Sequence, residues 1–129
     1  MSKSAGVAVF HGNNILLAKR IEFYKGELCA LPGYWAVFAG SIEENETPED
    51  AAERELFEEA KLTIENPLEL IGQIQDFTLY GTSFNELVYP DLNFEHTEYG
   101  WFDLDALDSF PYKIDEKLVD LILKYKNIV

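Results

Sequence analysis

The hexapeptide Arg54-Glu55-Leu56-Phe57-Glu58-Glu59 sets three carboxylates at positions i, i+3 and i+4. In a helix, which rises about 5.4 Å per turn, those side chains share a face and converge on one small volume. Like charges at that spacing destabilise a helix by roughly 0.2–0.5 kcal/mol per pair, so a positive partner is expected among them. Clustered hard oxygen ligands suit Mg²⁺ or Mn²⁺, which take carboxylate and water in octahedral geometry and share their shell with substrate phosphates. On its own, an acidic run is more simply a solvated face.

Residues 40–62, GSIEENETPEDAAERELFEEAKL, carry more than acids. They resemble the signature of the Nudix hydrolases, G-x5-E-x7-R-E-U-x-E-E-x-G-U with U a bulky aliphatic residue. Gly40, Glu46, Arg54, Glu55, Leu56, Glu58, Glu59 and Leu62 all match. The pattern departs at Lys61, where the family has glycine, and Phe38-Ala39 replaces the Pro-Gly that many members carry before the first glycine. Glycine just past a helix supplies a left-handed C-cap, which a lysine adopts at a cost of about 1 kcal/mol. The departure therefore bears on the helix end and not on the acids.

The resemblance implies that Glu55, Glu58 and Glu59 are metal ligands and catalytic carboxylates, with the carbonyl of Gly40 as a backbone ligand. Arg54 is expected to be structural, its guanidinium holding Glu46 and Glu55 in bidentate geometry, and Glu46 to support the ligating acids. Metals held there would polarise a diphosphate and lower the pKa of a water that attacks phosphorus. The general base would be a glutamate of this segment or one from a distant loop. Glu95 and Glu98, in Phe94-Glu95-His96-Thr97-Glu98, resemble the additional metal-binding or base glutamate of many members. Lys19 and Arg20, the only adjacent basic pair, are candidates for substrate phosphate. Tyr80 lies at roughly the distance where some subfamilies place a substrate-selecting tyrosine. Phe23, Tyr24, Tyr34, Trp35 and Phe84 complete the aromatics that could stack a base, although core packing explains any one of them as well.

The implied function is a Mg²⁺-dependent pyrophosphohydrolase, with Mn²⁺ as a possible substitute. It would cleave a nucleoside diphosphate linked to another group, such as a nucleoside triphosphate, a nucleotide sugar or ADP-ribose. The alternative is a catalytically silent Nudix-fold nucleotide sensor or protein-interaction domain. Such a member would be expected to have lost one of the box carboxylates, and all three are present. An isoprenoid diphosphate isomerase shares the fold but needs a further acid–base pair that the sequence does not offer. His11 and His96 have no partners at metal spacing and are expected at the surface. Cys29 lacks a base and is expected to be a buried or loop thiol.

These residues need elements to hold them. Thr47 as N-cap, Pro48 at the first position and Glu49-Asp50 in the first turn start a helix, predicted to run to residue 60 or 61. Ala52, Leu56 and Ala60 give it an i, i+4, i+8 stripe that packs on a sheet and turns the acids toward a cleft. Apolar runs at 6–10 and 15–20 flank His11-Gly12-Asn13-Asn14 and predict a hairpin. Residues 21–33 read as a connection near the site, and 34–38 as a strand delivering Gly40. A long or bent strand is predicted at 68–79, and further strands at 83–89, after a turn marked by Gly81, and at 98–102, with a short turn at 103–107. A final helix over 115–126 turns Leu118, Leu121, Ile122 and Tyr125 inward. Together they predict an α+β domain, and the resemblance sharpens this to a Nudix-type α/β/α sandwich with a mixed β-sheet between helices.

Composition sets the outer bounds. A chain of 129 residues, 47% hydrophobic and 14% aromatic, is expected to form one domain, residues 1–129, around a single core. A net charge of -14 disfavours long nucleic acids, which need a basic surface, yet permits a small phosphorylated ligand once metal neutralises the acids. The short apolar run after Met1-Ser2-Lys3-Ser4 is interrupted by His11, so neither a signal peptide nor a membrane span is expected. One cysteine agrees with a reducing cytoplasm. The oligomeric state, monomer or homodimer, is left open by the sequence.

Overall fold

Alternating apolar residues build the first hairpin. In a computed structural model, which describes residues 3–128, β1 (Ser4–His11) and β2 (Asn14–Arg20) pair antiparallel with Val9 opposite Leu16. Gly12 at the turn has φ +57°, a conformation open to glycine at no steric cost. The connection that follows holds a small ribbon, β3 (Phe23–Tyr24) with β4 (Glu27–Leu28). The strand expected at 34–38 is two pieces. β5 (Trp35–Ala36) pairs with β2, and β6 (Phe38–Ser41) pairs with β1. The chain thus steps from one strand of the hairpin to the other at Val37, filling the space where β1 and β2 diverge.

Helix α1 (Pro48–Ala60) follows, then β7 (Glu69–Ile74), β8 (Phe77–Ser83) and β9 (His96–Asp103). A 3-10 helix, Leu104–Ser109, and α2 (Glu116–Ile128) complete the order. The main sheet runs β5-β2-β1-β8-β7, with β6 on β1 and β9 on β2. β1 and β8 are parallel and the other pairs antiparallel, so the sheet is mixed as expected.

Period-two alternation sends side chains to opposite faces, and each face meets a helix. Ala5, Val7, Val9, Phe38 and Tyr80 pack with Ala52, Leu56 and Ala60 of α1. Ala8, Ile15, Leu17, Trp35 and Leu79 pack on the other side with Leu107, Leu118, Val119 and Ile122. Helix, sheet and helix form the α/β/α sandwich of an α+β fold. Leu118 and Ile122 of α2 are buried as predicted, Leu121 and Tyr125 partly so, and Val119 joins them. Tyr125 also donates its hydroxyl to Glu69, tying α2 to β7.

Three predicted boundaries are corrected. Residues 68–79 are not one strand but most of a hairpin turning at Gln75-Asp76, with Gln75 at φ +53°. Of the usual hairpin marks only Asp76 is present, without the glycine that normally follows it, so the turn was weakly marked. Gly81 is not a turn but lies inside β8, where an added Cβ would come within 2.8 Å of Ile71 Cδ1. β8 ends at Ser83, and residues 84–95 form an irregular strap instead of a strand. That strap is fastened to the last turn of α1, with Asp91 N donating to Ala60 O at 2.9 Å and Asn93 N to Glu59 O at 3.1 Å. It satisfies carbonyls that a helix end otherwise leaves open.

Candidate active site

Helix α1 is held at both ends by its own sequence. Thr47 Oγ1 accepts from Asp50 N at 3.1 Å, Pro48 opens the first turn, and Lys61 closes the last in the left-handed conformation, φ 58° and ψ 31°. The lysine that replaces the usual glycine therefore keeps the cap geometry. Its N–H donates to Phe57 O at 2.9 Å.

The three acids share the helix but not the environment. The Glu59 side chain is 1% exposed, Glu55 13% and Glu58 48%. Glu59 follows Leu56 by three residues and so faces the sheet beside the apolar stripe. Arg54 organises the other two. Its Nη1 donates to Glu55 Oε1 at 2.8 Å and Glu58 Oε2 at 2.9 Å. Nε and Nη2 take both oxygens of Glu46, at 2.7 and 3.0 Å, and Nη2 also reaches Ser41 O. The hydrogen bond from Arg54, aided by the Glu43 N–H, holds the Glu46 carboxyl down at about 2. Glu46 in turn raises Arg54 above its already high value, so the guanidinium stays charged.

Gly40 sits against this group. A Cβ there would lie 2.2 Å from Glu55 Cδ, so the carboxyl occupies the space a side chain would fill. Glu59 Oε1 accepts a long bond from Ala39 N, 3.4 Å, and lies 3.8 Å from His96 Nε2. Its other oxygen, Oε2, is buried without a partner among the described residues. Burial first, then the neighbouring Glu55 and Glu95, push the Glu59 carboxyl well above the usual range. Among the described residues, no three His, Cys, Asp or Glu side chains stand ready-made around a cation position, because Glu55 and Glu58 are turned onto Arg54.

A cleft of about 740 Å³ opens where β1 and β2 diverge. Gly40, Glu43 and Glu55 border it, with Arg20 and Glu95 also in its wall and Tyr34, Trp35 and Phe77 among its aromatic lining. Burial, then Glu55, raises the Glu95 carboxyl, and Arg20 partly offsets this. Strand alternation splits the basic pair. Arg20 lines the cleft, whereas Lys19 does not and pairs with Glu98 at 3.7 Å. Glu98 is likewise off the cleft. Tyr80 is 7% exposed, packed in the core on the α1 face and absent from the cleft wall. Cys29 is a partly exposed loop thiol, and His11 is partly buried with Nδ1 3.1 Å from Phe84 O.

His96 departs most from expectation, for its side chain is fully buried against Glu59 and not at the surface. The cause is a β-bulge. Lys19 pairs with Glu98 but Arg20 pairs with His96, leaving Thr97 as the extra residue. A bulge re-aims a side chain, so His96 and Glu98 no longer share the face that period two assigns them. Burial, then Arg20, lowers the imidazole to about 4, which keeps it neutral.

The NUDIX domain model matches residues 2–122. The chain belongs to the Nudix family. It is 30% identical over 119 residues to the NAD-capped RNA hydrolase NudC of Chromobacterium violaceum, covering 88% of this chain and 42% of that protein. The Nudix chain thus spans under half the length of that curated relative. Its fold superimposes on a MutT protein from Methanosarcina mazei with a TM-score of 0.75 at 18% identity, covering 98% and 94% of the two chains. A C. elegans Ap4A hydrolase gives 0.71 at 22% identity, covering 98% and 97%.

Proposed function

We propose that this Nudix chain is a Mg²⁺-dependent pyrophosphohydrolase acting on a nucleoside diphosphate linked to another group: a nucleoside triphosphate, a nucleotide sugar or ADP-ribose. The observation that carries the reading is Glu59 Oε2, a buried oxygen without a partner among the described residues, on the helix that also presents Glu55, set against Gly40, and Glu58. An unpartnered buried carboxylate oxygen is costly, and a divalent cation is the partner that such a donor set fits. Glu55, Glu58, Glu59 and the Gly40 carbonyl would hold Mg²⁺, or Mn²⁺ in its place. Bound there, the metal would neutralise charge on the diphosphate and acidify a water.

The rest falls to the chain itself. Arg54 and Glu46 keep the acids oriented, and Arg20 places a positive charge in the cleft wall for a phosphate oxygen. Glu95, in the cleft and with its carboxyl raised, suits a general base better than Glu98, which is held outside by Lys19. Tyr34 and Trp35 offer aromatic surface to a base or ribose.

The NAD end of the cap named for the NudC relative is itself a nucleoside diphosphate linked to another group, so it falls within the proposed class. The net charge of -14 argues against this chain gripping an RNA body. No described helix is long and apolar enough to cross a membrane. The proposal includes a single domain over 1–129, a small-molecule substrate and a cytoplasmic location, which the lone Cys29 suits.

The test is hydrolysis of a panel of nucleoside diphosphate derivatives with Mg²⁺, products identified by mass. A nucleoside monophosphate with a phosphorylated remainder is expected. No cleavage across the panel would favour the silent sensor.

A further inference from the structure

Three buried side-chain atoms lack a hydrogen-bond partner among the described residues, and all lie in one contact: Glu59 Oε2, His96 Nδ1 and His96 Nε2. Buried polar groups are almost always paired, so a concentration of orphans marks a place where the chain retains polarity for a reason other than packing. We propose that His96 is a positioning residue for Glu59, donating its Nε2–H to Oε1 so that Oε2 is left free and turned toward the cation. This rests on the metal reading above and assigns a role to a residue outside the box.

The geometry supplies the means. Ala39 N, at 3.4 Å, is a weak donor, and His96 Nε2 stands 3.8 Å from the same oxygen. Closure by about 1 Å brings that contact to ordinary hydrogen-bond length. An ionised carboxylate in a dry interior needs such donors. The imidazole is fixed from two sides. Its ring stands edge-on to Phe38, centroids 5.3 Å apart at 75°, and its backbone is tied to the helix through Asn93. His96 N donates to Asn93 O at 3.4 Å, and Asn93 N donates to Glu59 O at 3.1 Å. The same asparagine accepts from Glu95 N through Oδ1 at 2.9 Å. One residue of the strap therefore sets both the imidazole and the cleft glutamate relative to Glu59. The bulge at Thr97 is what aims the ring inward.

The test measures Mn²⁺ affinity by calorimetry on the whole chain. His96→Leu, of similar bulk and without a donor, should bind Mn²⁺ roughly 10-fold or more weakly, the range seen when a group supporting a metal ligand is removed. His96→Gln, which restores an N–H donor, should recover most of the loss. Unchanged affinity in His96→Leu, or a His96→Gln as weak as His96→Leu, overturns the proposal. Nitrogen-15 spectra of the wild-type imidazole, saturated with Mg²⁺, decide it independently of whether His96→Leu folds. A proton on Nε2 is expected, and one on Nδ1 alone overturns it. Glu59→Gln separates this inference from its premise. Wild-type Mn²⁺ affinity there would remove the metal reading and the proposal with it. Loss in Glu59→Gln with none in His96→Leu would remove only the role of His96.

Discussion

Arg54 gives all three guanidinium nitrogens to acceptors, five of them carboxylate oxygens at hydrogen-bond distance on Glu46, Glu55 and Glu58. Glu46 has its carboxyl depressed to about 2, from an unperturbed 4.5. A depressed acid contributes stability above its unfolded pKa and loses it as pH falls toward the folded one. Wild type should therefore melt above Glu46→Gln at neutral pH, and the gap should close between about pH 4.5 and about pH 2. Melting curves of both proteins across that window check it. Glu59 has the opposite sign. Its carboxyl is raised, so above the unfolded pKa it costs stability, and Glu59→Gln should melt higher than wild type in metal-free buffer at neutral pH. The same substitution, like Glu58→Gln, should lower turnover about 100-fold or more, since metal charge stabilisation is worth several kcal/mol and 1.36 kcal/mol is tenfold. Near-wild-type turnover in both would remove these carboxylates from the site.

At the scale of elements, α1 was legible because its signals are local. Thr47, Pro48, the apolar stripe and the box acids each act within a turn of their neighbours, and the structure ends the helix at the predicted Ala60. Lys61 allows a quantitative check. Its left-handed backbone costs about 1 kcal/mol relative to glycine, but its ammonium lies 5.2 Å from the Phe57 ring centroid. At an exposed site that contact returns about 0.5 kcal/mol. Lys61→Gly should therefore raise stability by only about 0.5 kcal/mol, measured by denaturant titration, with turnover unchanged. The misplaced elements depend on distant partners. The turn at Gln75-Asp76 forms because β7 and β8 must both reach the sheet, with Gln75 in the left-handed region that a glutamine seldom adopts. The continuous run at 34–38 breaks because β1 and β2 diverge and each captures half. His96 was expected at the surface because it has no partner at metal spacing; the bulge at Thr97 that turns it inward has no signature in an isolated strand. Likewise Tyr80 stood at a plausible sequence distance, yet the alternation of β8 turns it into the core.

Across the whole molecule, the separation of a metal site from a merely acidic surface can be made by stability. A ligand that binds only the native state stabilises it by RT ln(1 + [L]/Kd), about 1.4 kcal/mol at ten times Kd. Mg²⁺ should raise the melting temperature more than Na⁺ at equal ionic strength, because screening eases repulsion in a chain of net charge -14 without coordinating it. The excess should vanish in the triple variant Glu55→Gln, Glu58→Gln, Glu59→Gln, as scanning calorimetry would show; equal excess in both proteins would make the acids a charged surface. The strand order carries a different consequence, for synthesis. β2 is completed on one edge only by β9, which pairs Asn14 through Arg20 with residues 96–103. Until the ribosome has released that last strand, the edge of β2 stands open with Ile15 and Leu17, wholly buried in the finished fold, beside it. An unpaired apolar edge is a template for association with other chains. At about 5–20 residues per second the roughly 80 intervening residues take several seconds to make, a window in which a nascent chain is at its most vulnerable to aggregation and to chaperone capture.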